Sequence, residues 1–556
     1  MPVLNRRKAL AAFSLAGGSA ALPAKAAADA VRFEHGVASG DPLQDRVILW
    51  TRVTPADPAA RSVQVAWIVA EDEGLTRVVA RGQMQTGPDR DFTVKVDAAG
   101  LKPARDYWYR FTVGEAASPT GRARTLPAGQ VQDVVLAVAS CSLHPAGYFN
   151  AYNAIAKLPR VDAVLHLGDY IYEYGGGPTD YGVAAAARTG RLPQPAHEIV
   201  SLTDYRTRHA QYKSDPDLQA AHARAPWICV WDDHESANDS WIGGAENHQP
   251  DKDGDWAARK AAALKAYYEW MPIRDARAGA LPEAINRSFR FGNVAELFMV
   301  ETRLTARSHQ MDYESADLST PAALQAFMAQ RAAGDRELLG PAQQAWLAEG
   351  LARSAKDGCA WQVLGNQVVM AQVKGPDLKG ALSPAEWDAF IAGLPPGLRP
   401  MVSKMGELFA RGVPMNLDAW DGYPAARERV YAAIKAASSS ALVLAGDSHA
   451  FWVNDLHDAA GQRVAAEFGT TGVTSPGWGD FFPKLQMGEM IARQNDEVVY
   501  SHQSAKGFLL LTLTPDTAKG ELIAVSTIAE REYRPEVLKT YLVQRRDGGV
   551  EAPAEA

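Results

Sequence analysis

The pattern of hydrophobic and polar positions divides the chain into two parts of different character. Between residues 31 and 125 the apolar residues are mostly β-branched or aromatic, and they lie in short runs at Arg46–Val53, Val63–Val69, Phe92–Val96 and Tyr107–Val113. Clusters of Gly and Pro separate these runs, as they commonly separate strands. Short strands with turn signals between them predict an all-β sandwich domain over residues 31–125.

From about residue 131 to residue 530, apolar strands alternate with segments of helical periodicity. Strands are predicted at Val134–Ala139, Ala163–Leu167, Trp227–Trp231, Ala295–Val300, Trp361–Leu364 and Ala441–Leu444, and helices at Tyr148–Leu158, Asp255–Trp270, Pro341–Arg353 and Pro424–Ala437. Near-continuous apolar strands between helices indicate a sheet covered on both faces. The predicted fold class is therefore α/β (α+β), with a layered sheet-and-helix domain over 131–530 and a C-terminal tail, loose towards its acidic end, over 531–556.

The first residues, 1–28, have the layout of an export signal. Arg6, Arg7 and Lys8 precede an Ala/Gly-rich apolar run, and small-x-small cleavage sites follow it. This run is shorter than the ~20 residues that a bilayer span needs, and no later segment is long and apolar enough to be one. The paired arginines resemble a twin-arginine signal, with an ordinary secretory signal as the alternative. The prediction is an exported protein, periplasmic or secreted, that uses the twin-arginine export machinery.

Composition and charge exclude several classes of protein. Hydrophobic residues make up 47% of the chain and charged residues 22%, which is ordinary for a globular protein and excludes a mainly disordered chain. The 57 basic and 65 acidic residues give a formal charge of −8, so the totals suggest no nucleic-acid-binding surface. Three cysteines allow at most one intramolecular disulfide, which excludes a disulfide-stapled scaffold.

Polar side chains follow five of the predicted strands, at the point where each strand ends. They are Cys141, then Asp169 and Tyr172, then Asp233, His234 and Glu235, then Asn366, and finally Asp447 and His449. Each loop alone has a plainer interpretation: a helix N-cap, a solvated cluster of charges or, for Cys141, a small buried apolar residue. In open α/β sheets, however, ligands bind beyond the carboxyl ends of the strands. If the five strands share one sheet edge, the loops converge, and together they predict a metal site.

The residue types narrow the chemistry of that site. Carboxylates, an amide oxygen and imidazoles bind hard or borderline cations. Asp169 has two carboxylate oxygens and can bridge two ions, and paired metals ~3.5–4 Å apart stabilise the attacking and leaving oxygens in displacement at a phosphate ester. Tyr172 as a phenolate prefers a trivalent ion and therefore Fe³⁺. Cys141 as a thiolate can also bind iron.

Several stretches of the chain resemble one known family. They include LHLGDYIYEYG at 165–175, the long stretch from LTDYRTRH to WDDHESANDSW at 202–241, WQVLGNQV at 361–368 and LAGDSHAFW at 444–452. These motifs are similar to those of metallophosphoesterases and, more closely, of the PhoD family of alkaline phosphatases. The resemblance covers nearly the whole mature chain. It implies a metallophosphoesterase-type catalytic domain behind the N-terminal β-sandwich.

The resemblance implies two metal sites and a proton donor. The Fe³⁺ ligands are implied to be Cys141, Asp169, Tyr172 and His449, and the ligands of a second ion, Ca²⁺ in this family, to be Asp169, Asp233, Asn366 and Asp447. The same oxygen ligands also accept Mn²⁺ or Mg²⁺. His234 is implied to contact the phosphate and protonate the leaving group rather than bind a metal, with Glu235 orienting it.

Three functions follow as hypotheses. The first is an exported alkaline phosphatase and phosphodiesterase that hydrolyses phosphate esters by attack of a metal-bound hydroxide. The second is a phospholipase D-like enzyme that acts on phosphodiester lipids. The third is a metal-dependent binding protein without catalysis, against which the complete set of ligand positions argues. Two neighbouring features stay open: Arg303 contacts substrate phosphate or forms an ordinary ion pair, and the segment 175–193 is a candidate lid.

Overall fold

A computed structural model describes residues 31–276, 279–394 and 399–556, so the predicted export signal at 1–28 lies outside the described residues. The strands are β1 (Val31–Arg32), β2 (Val37–Gly40), β3 (Arg46–Arg52), β4 (Thr54–Pro55), β5 (Val63–Ala70), β6 (Val78–Thr86), β7 (Thr93–Ala99), β8 (Asp106–Val113), β9 (Ala116–Ala117), β10 (Gly121–Arg124), β11 (Val134–Ala139), β12 (Ala163–His166), β13 (Pro226–Cys229), β14 (Arg287–Phe291), β15 (Ala295–Met299), β16 (Trp361–Gly365), β17 (Ala441–Ala445), β18 (Phe451–His457), β19 (Arg463–Gly469), β20 (Val498–His502), β21 (Gly507–Leu513), β22 (Thr517–Val525), β23 (Pro535–Arg546), β24 (Gly549–Val550) and β25 (Ala554–Glu555). The helices are α1 (Asn150–Ala156), α2 (Val183–Thr189), α3 (Leu202–Lys213), α4 (Pro216–Arg224), α5 (Pro250–Asp253), α6 (Trp256–Trp270), α7 (Pro321–Arg331), α8 (Gly340–Lys356), α9 (Leu378–Ala381), α10 (Pro384–Gly393), α11 (Arg399–Phe409), α12 (Pro424–Ala436), α13 (Trp478–Phe481) and α14 (Met487–Gln494).

Two large sheets form the centre of the molecule. The first has the strand order β24-β23-β22-β21-β11-β12-β13-β2-β3-β7, and the second has the order β14-β15-β16-β17-β19-β18-β20. Strands β11, β12, β13 and β2 pair in parallel in the first sheet, as do β15, β16, β17 and β19 in the second. The five strands with polar ends therefore do not share one sheet edge. Three belong to the first sheet and two to the second, a division that strand composition cannot reveal.

The two sheets pack face to face, and helices cover their outer faces. Leu442 and Leu444 of β17 share one apolar cluster with Leu136 of β11, which joins the two sheets. Val443, between those leucines, belongs to a second cluster that includes Val430 of α12. Because successive side chains of a strand point to opposite faces, both faces of β17 must be apolar. This accounts for the continuous apolar runs in the sequence and confirms the mixed α/β fold class.

The N-terminal strands form a sandwich that is joined to the rest of the fold. A small sheet of order β10-β8-β5-β6 faces β2, β3 and β7 across a cluster that includes Leu49, Val69 and Phe111. Strands β2, β3 and β7 are also the end of the first large sheet, because β2 pairs in parallel with β13. At this junction a Cβ atom on Gly40 would lie 2.1 Å from the Pro272 carbonyl oxygen, so only glycine fits.

The C-terminal segment 531–556 forms strands in the structure, including its acidic end from about residue 548, which the sequence predicts to be loose. Strand β23 is 12 residues long and pairs antiparallel with β22 from Pro535 to Gln544, and β24 and β25 pair with β23 in turn. Tyr541 and Val543 are buried in the central apolar cluster. Only these two positions of β23 are fully buried, so the strand carries little of the hydrophobic pattern that sequence analysis detects.

Across the three described stretches of the chain, no helix combines the length and the apolar character that crossing a membrane requires.

Candidate metal centre

The predicted ligands come together although they leave two different sheets. Cys141 and Asp169 follow β11 and β12 of the first sheet, and Asp447 and His449 follow β17 of the second. The two loop sets meet directly, because the Tyr172 hydroxyl lies 3.2 Å from His449 Nε2. The carboxyl ends of the parallel strands in both sheets therefore open onto one common crevice, as the rule for α/β sheets predicts for a single sheet.

Four of the predicted ligand residues have backbone torsions that favour glycine. The φ angles of Cys141, Asp169, Asp447 and His449 are +60°, +56°, +58° and +55°. A left-handed conformation costs a non-glycine residue ~1–2 kcal/mol, and such residues cluster at functional sites. At these positions the chain turns sharply at the end of a buried strand, which directs the side chain towards the crevice. The fold thus accepts strain at four places in order to assemble the site.

The first group of ligands contains thiol, carboxylate, imidazole and phenol. Candidate ligand atoms of Cys141, Asp169 and His449 lie within 4.8 Å of one another. The Tyr172 hydroxyl donates to Asp169 Oδ2 at 3.2 Å and accepts a hydrogen bond from Ser475 Oγ at 2.7 Å. His449 Nδ1 lies 2.9 Å from the Pro476 carbonyl oxygen, which leaves Nε2 free to face a metal. This donor set suits a transition metal ion.

The second group consists of carboxylates around one buried arginine. Ligand atoms of Asp232, Asp233 and Asp447 lie within 4.8 Å of one another, and Asp169 and Asp233 form a further group with His234. Asp169 and Asp233 therefore link the groups into one cluster. The guanidinium of Arg303, which has no exposed surface, contacts Asp232 and lies 3.6 Å from Asp233 and 3.1 Å from Asp447. Of the two interpretations of Arg303, the structure shows the ion pair.

The carboxylates of the cluster carry more negative charge than the protein neutralises. Asp169 Oδ1, Asp233 Oδ1 and Asp232 Oδ2 are buried and have no hydrogen-bond partner. Burial, reinforced by neighbouring carboxylates, raises the pKa of Asp169 and of Asp447 well above the ordinary range. Burial and the charge of Asp169 likewise raise the pKa of the Cys141 thiol. Unpaired, buried acceptors next to like charges fit bound cations, which would hold all of these groups in their ionised forms.

His234 lies against the first group and is held by a glutamate that sequence reasoning missed. Its Nδ1 atom is 2.7 Å from Glu173 Oε2, and its ring packs on Tyr172 with centroids 4.2 Å apart. Burial alone would lower the pKa of His234, but the charges of Asp233, Glu173 and Asp169 outweigh it and raise this pKa well above the ordinary value. The imidazolium form is therefore favoured in a site that is otherwise anionic.

Glu235 does not orient His234, contrary to the prediction. Its Oε2 atom accepts hydrogen bonds from the backbone N–H groups of Asp169, at 3.0 Å, and Asp232, at 2.8 Å, and its Oε1 atom accepts one from Tyr170 at 2.6 Å. Burial raises the pKa of Glu235 to about 8. Its carboxylate connects the loop after β12 with the loop after β13, so it positions ligands rather than the imidazole.

Asn366 lies at the end of β16, but its side chain is engaged elsewhere. Its Oδ1 atom accepts a hydrogen bond from Trp420 Nε1 at 3.1 Å, and its Nδ2 atom donates to the Val368 carbonyl oxygen. A ligand role for Asn366 stays a prediction.

The structure adds residues to the predicted site. These are Asp232 and Glu173, which are buried acids in two of the loops that carry predicted ligands. Their position in those loops is the feature of the sequence from which they could have been predicted. Tyr181 belongs to the candidate lid, and its hydroxyl lies 3.2 Å from His449 Nδ1 and donates to the Pro476 carbonyl oxygen at 2.9 Å. The candidate lid therefore packs on a predicted ligand residue of the first group.

Carboxylate, imidazole, thiol and phenol groups, clustered at the ends of strands in two facing sheets, form a candidate metal site of the kind that metal-dependent hydrolases use. Comparison with known proteins identifies the family. The PhoD-like phosphatase family model matches residues 136–522, and the model of the PhoD-like phosphatase N-terminal domain matches residues 18–127. The chain belongs to the PhoD-like phosphatase family.

Two relatives show how far the similarity extends. Alkaline phosphatase D of Bacillus subtilis (strain 168) is 34% identical over 536 residues, which cover 93% of this chain and 82% of the relative. A solved structure titled "Structure of PhoD" is 32% identical, covers 94% of this chain and 92% of its own, and superposes with a TM-score of 0.76. The protein is therefore a phosphoric ester hydrolase of the alkaline phosphatase type.

Proposed function

We propose that this protein is an exported phosphatase and phosphodiesterase whose site holds Fe³⁺ and Ca²⁺. The observation that carries the proposal is the position of Asp169, which lies in the thiol-and-imidazole group with Cys141 and His449 and also in a group with Asp233 and His234. One carboxylate shared by a soft and a hard set of donors is what a centre with two different metals requires.

The donor types support an assignment of each ion. Cys141, Asp169, Tyr172 and His449 would hold Fe³⁺, and Asp169, Asp233, Asn366 and Asp447 would hold Ca²⁺, with Mn²⁺ or Mg²⁺ as alternatives for the oxygen ligands. When bound, the cations would supply charge for the phosphate oxygens and a lowered pKa for the attacking water. Asp232 extends the second set by one carboxylate beyond those that the sequence suggested.

His234 is the candidate for protonating the departing alcohol. Glu173 holds Nδ1, so Nε2 is the nitrogen that can face substrate, and the carboxylate of Glu173 favours a protonated ring. Arg303 forms ion pairs with Asp232 and Asp447. Because these carboxylates neutralise its guanidinium, Arg303 is unsuited to binding substrate phosphate.

Metal analysis joined to turnover tests this function. The full-length enzyme, exported by its native host, should contain iron and calcium, hydrolyse an aryl phosphate, lose activity on chelation and regain it on metal add-back. Asp169→Ala should lose metal and activity together. His234→Ala should keep its metals and lose ~10²–10⁴-fold in kcat, the usual range for a general acid. Full activity of His234→Ala would remove the proposed proton donor, and full metal with no turnover in the unaltered enzyme would favour a binding protein.

Export rests on the sequence of residues 1–28 alone. Replacing the Arg6-Arg7 pair by two lysines should leave the protein in the cytoplasm of the native host if the twin-arginine machinery carries it. Unchanged appearance outside the cytoplasm would indicate an ordinary secretory signal.

A phospholipase D-like activity on lipid phosphodiesters is the second candidate function. A small, mainly apolar cavity that reaches Ser448, between Asp447 and His449, is the observation in its favour. Parallel assays with an aryl phosphate and with phosphatidylcholine distinguish the two activities.

A further inference from the structure

Two helical insertions leave the metal-bearing end of the second sheet. One follows β16 and carries α9, α10 and α11 before α12 begins. The other follows β19 and carries α13 and α14 before β20 begins. Strands β16 and β19 run parallel to β17, so both insertions start at the end of the sheet where Asp447 and His449 lie. Segments that start at this end are placed to contact a substrate.

The insertions pack against each other through apolar side chains. Their shared cluster contains Leu378, Trp387, Val402, Phe482 and Met487. Trp478 stacks on Phe482 with ring centroids 6.2 Å apart and an interplanar angle of 10°. This cluster is separate from the two that form the sheet cores. The packing thus builds an independent apolar wall beside the metal centre.

Two adjoining cavities lie between the loop that follows β17 and this wall. The inner one, about 60 Å³ in volume, is lined in part by Ser448, Trp452 and Gln503. The outer one, about 40 Å³, is lined only by apolar residues, Met405 and Phe409 among them. Met415 and Trp478 line both cavities and so join them.

The character of the residues favours a ligand over simple core packing. The outer cavity is lined by four methionines, whose flexible thioether side chains adapt to differently shaped apolar groups. Trp478 keeps 41% of its surface exposed and Phe481 keeps 53%, although both are large apolar residues on the same short helix. Large exposed apolar residues next to an apolar cavity are typical of a binding site.

We propose that the joined cavities, here called the apolar subsite, bind the apolar part of the alcohol that leaves the phosphate ester. The proposal rests on the proposed function and adds a substrate class to it: esters of alkyl or aryl alcohols. In the hydrolysis, water supplies the oxygen that bonds to phosphorus, the bond from phosphorus to the alcohol oxygen breaks, and the alcohol leaves with a proton. Ser448 lines the inner cavity and lies between the predicted ligands Asp447 and His449 in sequence, so the subsite begins next to the ligand loop that follows β17.

The size of the effect follows from the burial of apolar surface. One buried methylene is worth about threefold to fourfold in binding. For the holoenzyme we therefore expect kcat/KM to rise about threefold per methylene from ethyl to butyl phosphate and to level off once the subsite is full. Glycerol phosphate, which is similar in length to the short alkyl esters but polar, should be a poorer substrate than propyl phosphate. Equal kcat/KM values along the series, with normal turnover, would overturn the proposal.

A matched pair of variants connects the effect with the subsite. Met405→Gln keeps the length of the side chain but makes the outer cavity polar, so it should flatten the dependence of kcat/KM on the length of the alkyl chain. Met328→Gln is the control, because Met328 is also partly buried on a helix but does not line either cavity. A chain-length dependence in Met405→Gln equal to that of the control would overturn the assignment.

Two further measurements separate this proposal from others. Bromohexanol should quench the emission of Trp478 in the holoenzyme, observed as the difference from Trp478→Phe, and this readout needs no turnover. Quenching without hydrolysis of any ester would support the subsite and refute the proposed function, and hydrolysis without quenching would do the reverse.

Dihexanoyl phosphatidylcholine below its micellar concentration identifies the source of the alkyl chain. Its hydrolysis with the same sensitivity to Met405→Gln assigns a lipid alcohol, and hydrolysis of monoesters alone assigns a single-chain alcohol.

Discussion

Replacing Glu173 by Gln should make His234 a weaker proton donor while keeping a side chain of the same size next to its ring. In the native side chain, Oε2 faces His234 Nδ1 at 2.7 Å, while Oε1 accepts hydrogen bonds from Asn238 N at 2.8 Å and Asn247 Nδ2 at 2.9 Å. These two donors require an acceptor, so they fix the carbonyl oxygen of the new glutamine on their side. Its NH₂ group then faces His234 and can only donate to Nδ1. A protonated ring would place two donors face to face, so the neutral ring, with Nδ1 as the acceptor, becomes more favourable than in the native enzyme.

The magnitude follows from the hydrogen bond that is lost. A buried hydrogen bond to a charged group contributes ~1.5–3 kcal/mol, and one pKa unit corresponds to ~1.4 kcal/mol. The pKa of His234 should therefore fall by about one to two units in Glu173→Gln. Because the folded enzyme favours the protonated ring, the lost charge acts on the alkaline side, where kcat should decline at lower pH than in the native enzyme. At alkaline pH, kcat should fall ~10²-fold, within the range for loss of a general acid.

The assay is the pH dependence of kcat on an aryl phosphate, together with metal content. Metal content should stay unchanged in Glu173→Gln, because Glu173 belongs to none of the ligand groups. Glu337→Gln is the matched control, since Glu337 pairs with Arg429 at 2.8 Å and also lies outside the ligand groups. If Glu173→Gln kept the native pH profile and kcat, the charge of His234 would not depend on Glu173.

Two more predictions concern the frame of the site. Glu235→Gln should lower metal occupancy, because one amide group cannot accept all three backbone N–H bonds that join the ligand loops. Elemental analysis measures the occupancy. Native occupancy in the variant would show that the ligand loops keep their positions without Glu235. Burial lowers the pKa of Lys213 from 10.5 to about 7, so the unfolded chain binds the extra proton between these values and stability should rise with pH from about 7 to about 10. Lys213→Met should remove up to about 4 kcal/mol of that rise, measured by denaturant unfolding at both pH values against the native enzyme; an equal rise in the variant would show that Lys213 is not its source.

The sequence predicted the central strands well and the peripheral strands poorly, for one physical reason. Strands such as β11 and β17 are covered on both faces, so their residues form a continuous apolar run that stands out. Strand β6, at the edge of the small sheet, alternates partly buried with exposed residues and contains Arg and Gln, so it was missed. Strand β23 was missed in the same way. The division of strands between two sheets depends on pairing, which strand composition does not encode.

The site shows the same limit at the level of single residues. The ligand loops could be predicted because each is a local motif at the end of an apolar strand. The partner of His234 could not, because the contact joins residues 61 positions apart, whereas Glu235 is its neighbour in sequence. A carboxylate next to a histidine in sequence is an obvious partner, yet here the backbone turns Glu235 towards the N–H groups of Asp169, Tyr170 and Asp232 instead.

The charge of the chain gives the bound cations a role in substrate binding as well as in chemistry. The formal charge is −8, and Asp232, Asp233 and Asp447 share the one guanidinium of Arg303. A phosphate ester is itself an anion, so this cluster repels it until cations reverse the local sign. An alkyl phosphonate, which cannot be hydrolysed, should therefore bind the holoenzyme and lose its affinity after chelation, as measured by calorimetry. Equal affinity before and after chelation would mean that protein side chains, and not the cations, hold the phosphate group.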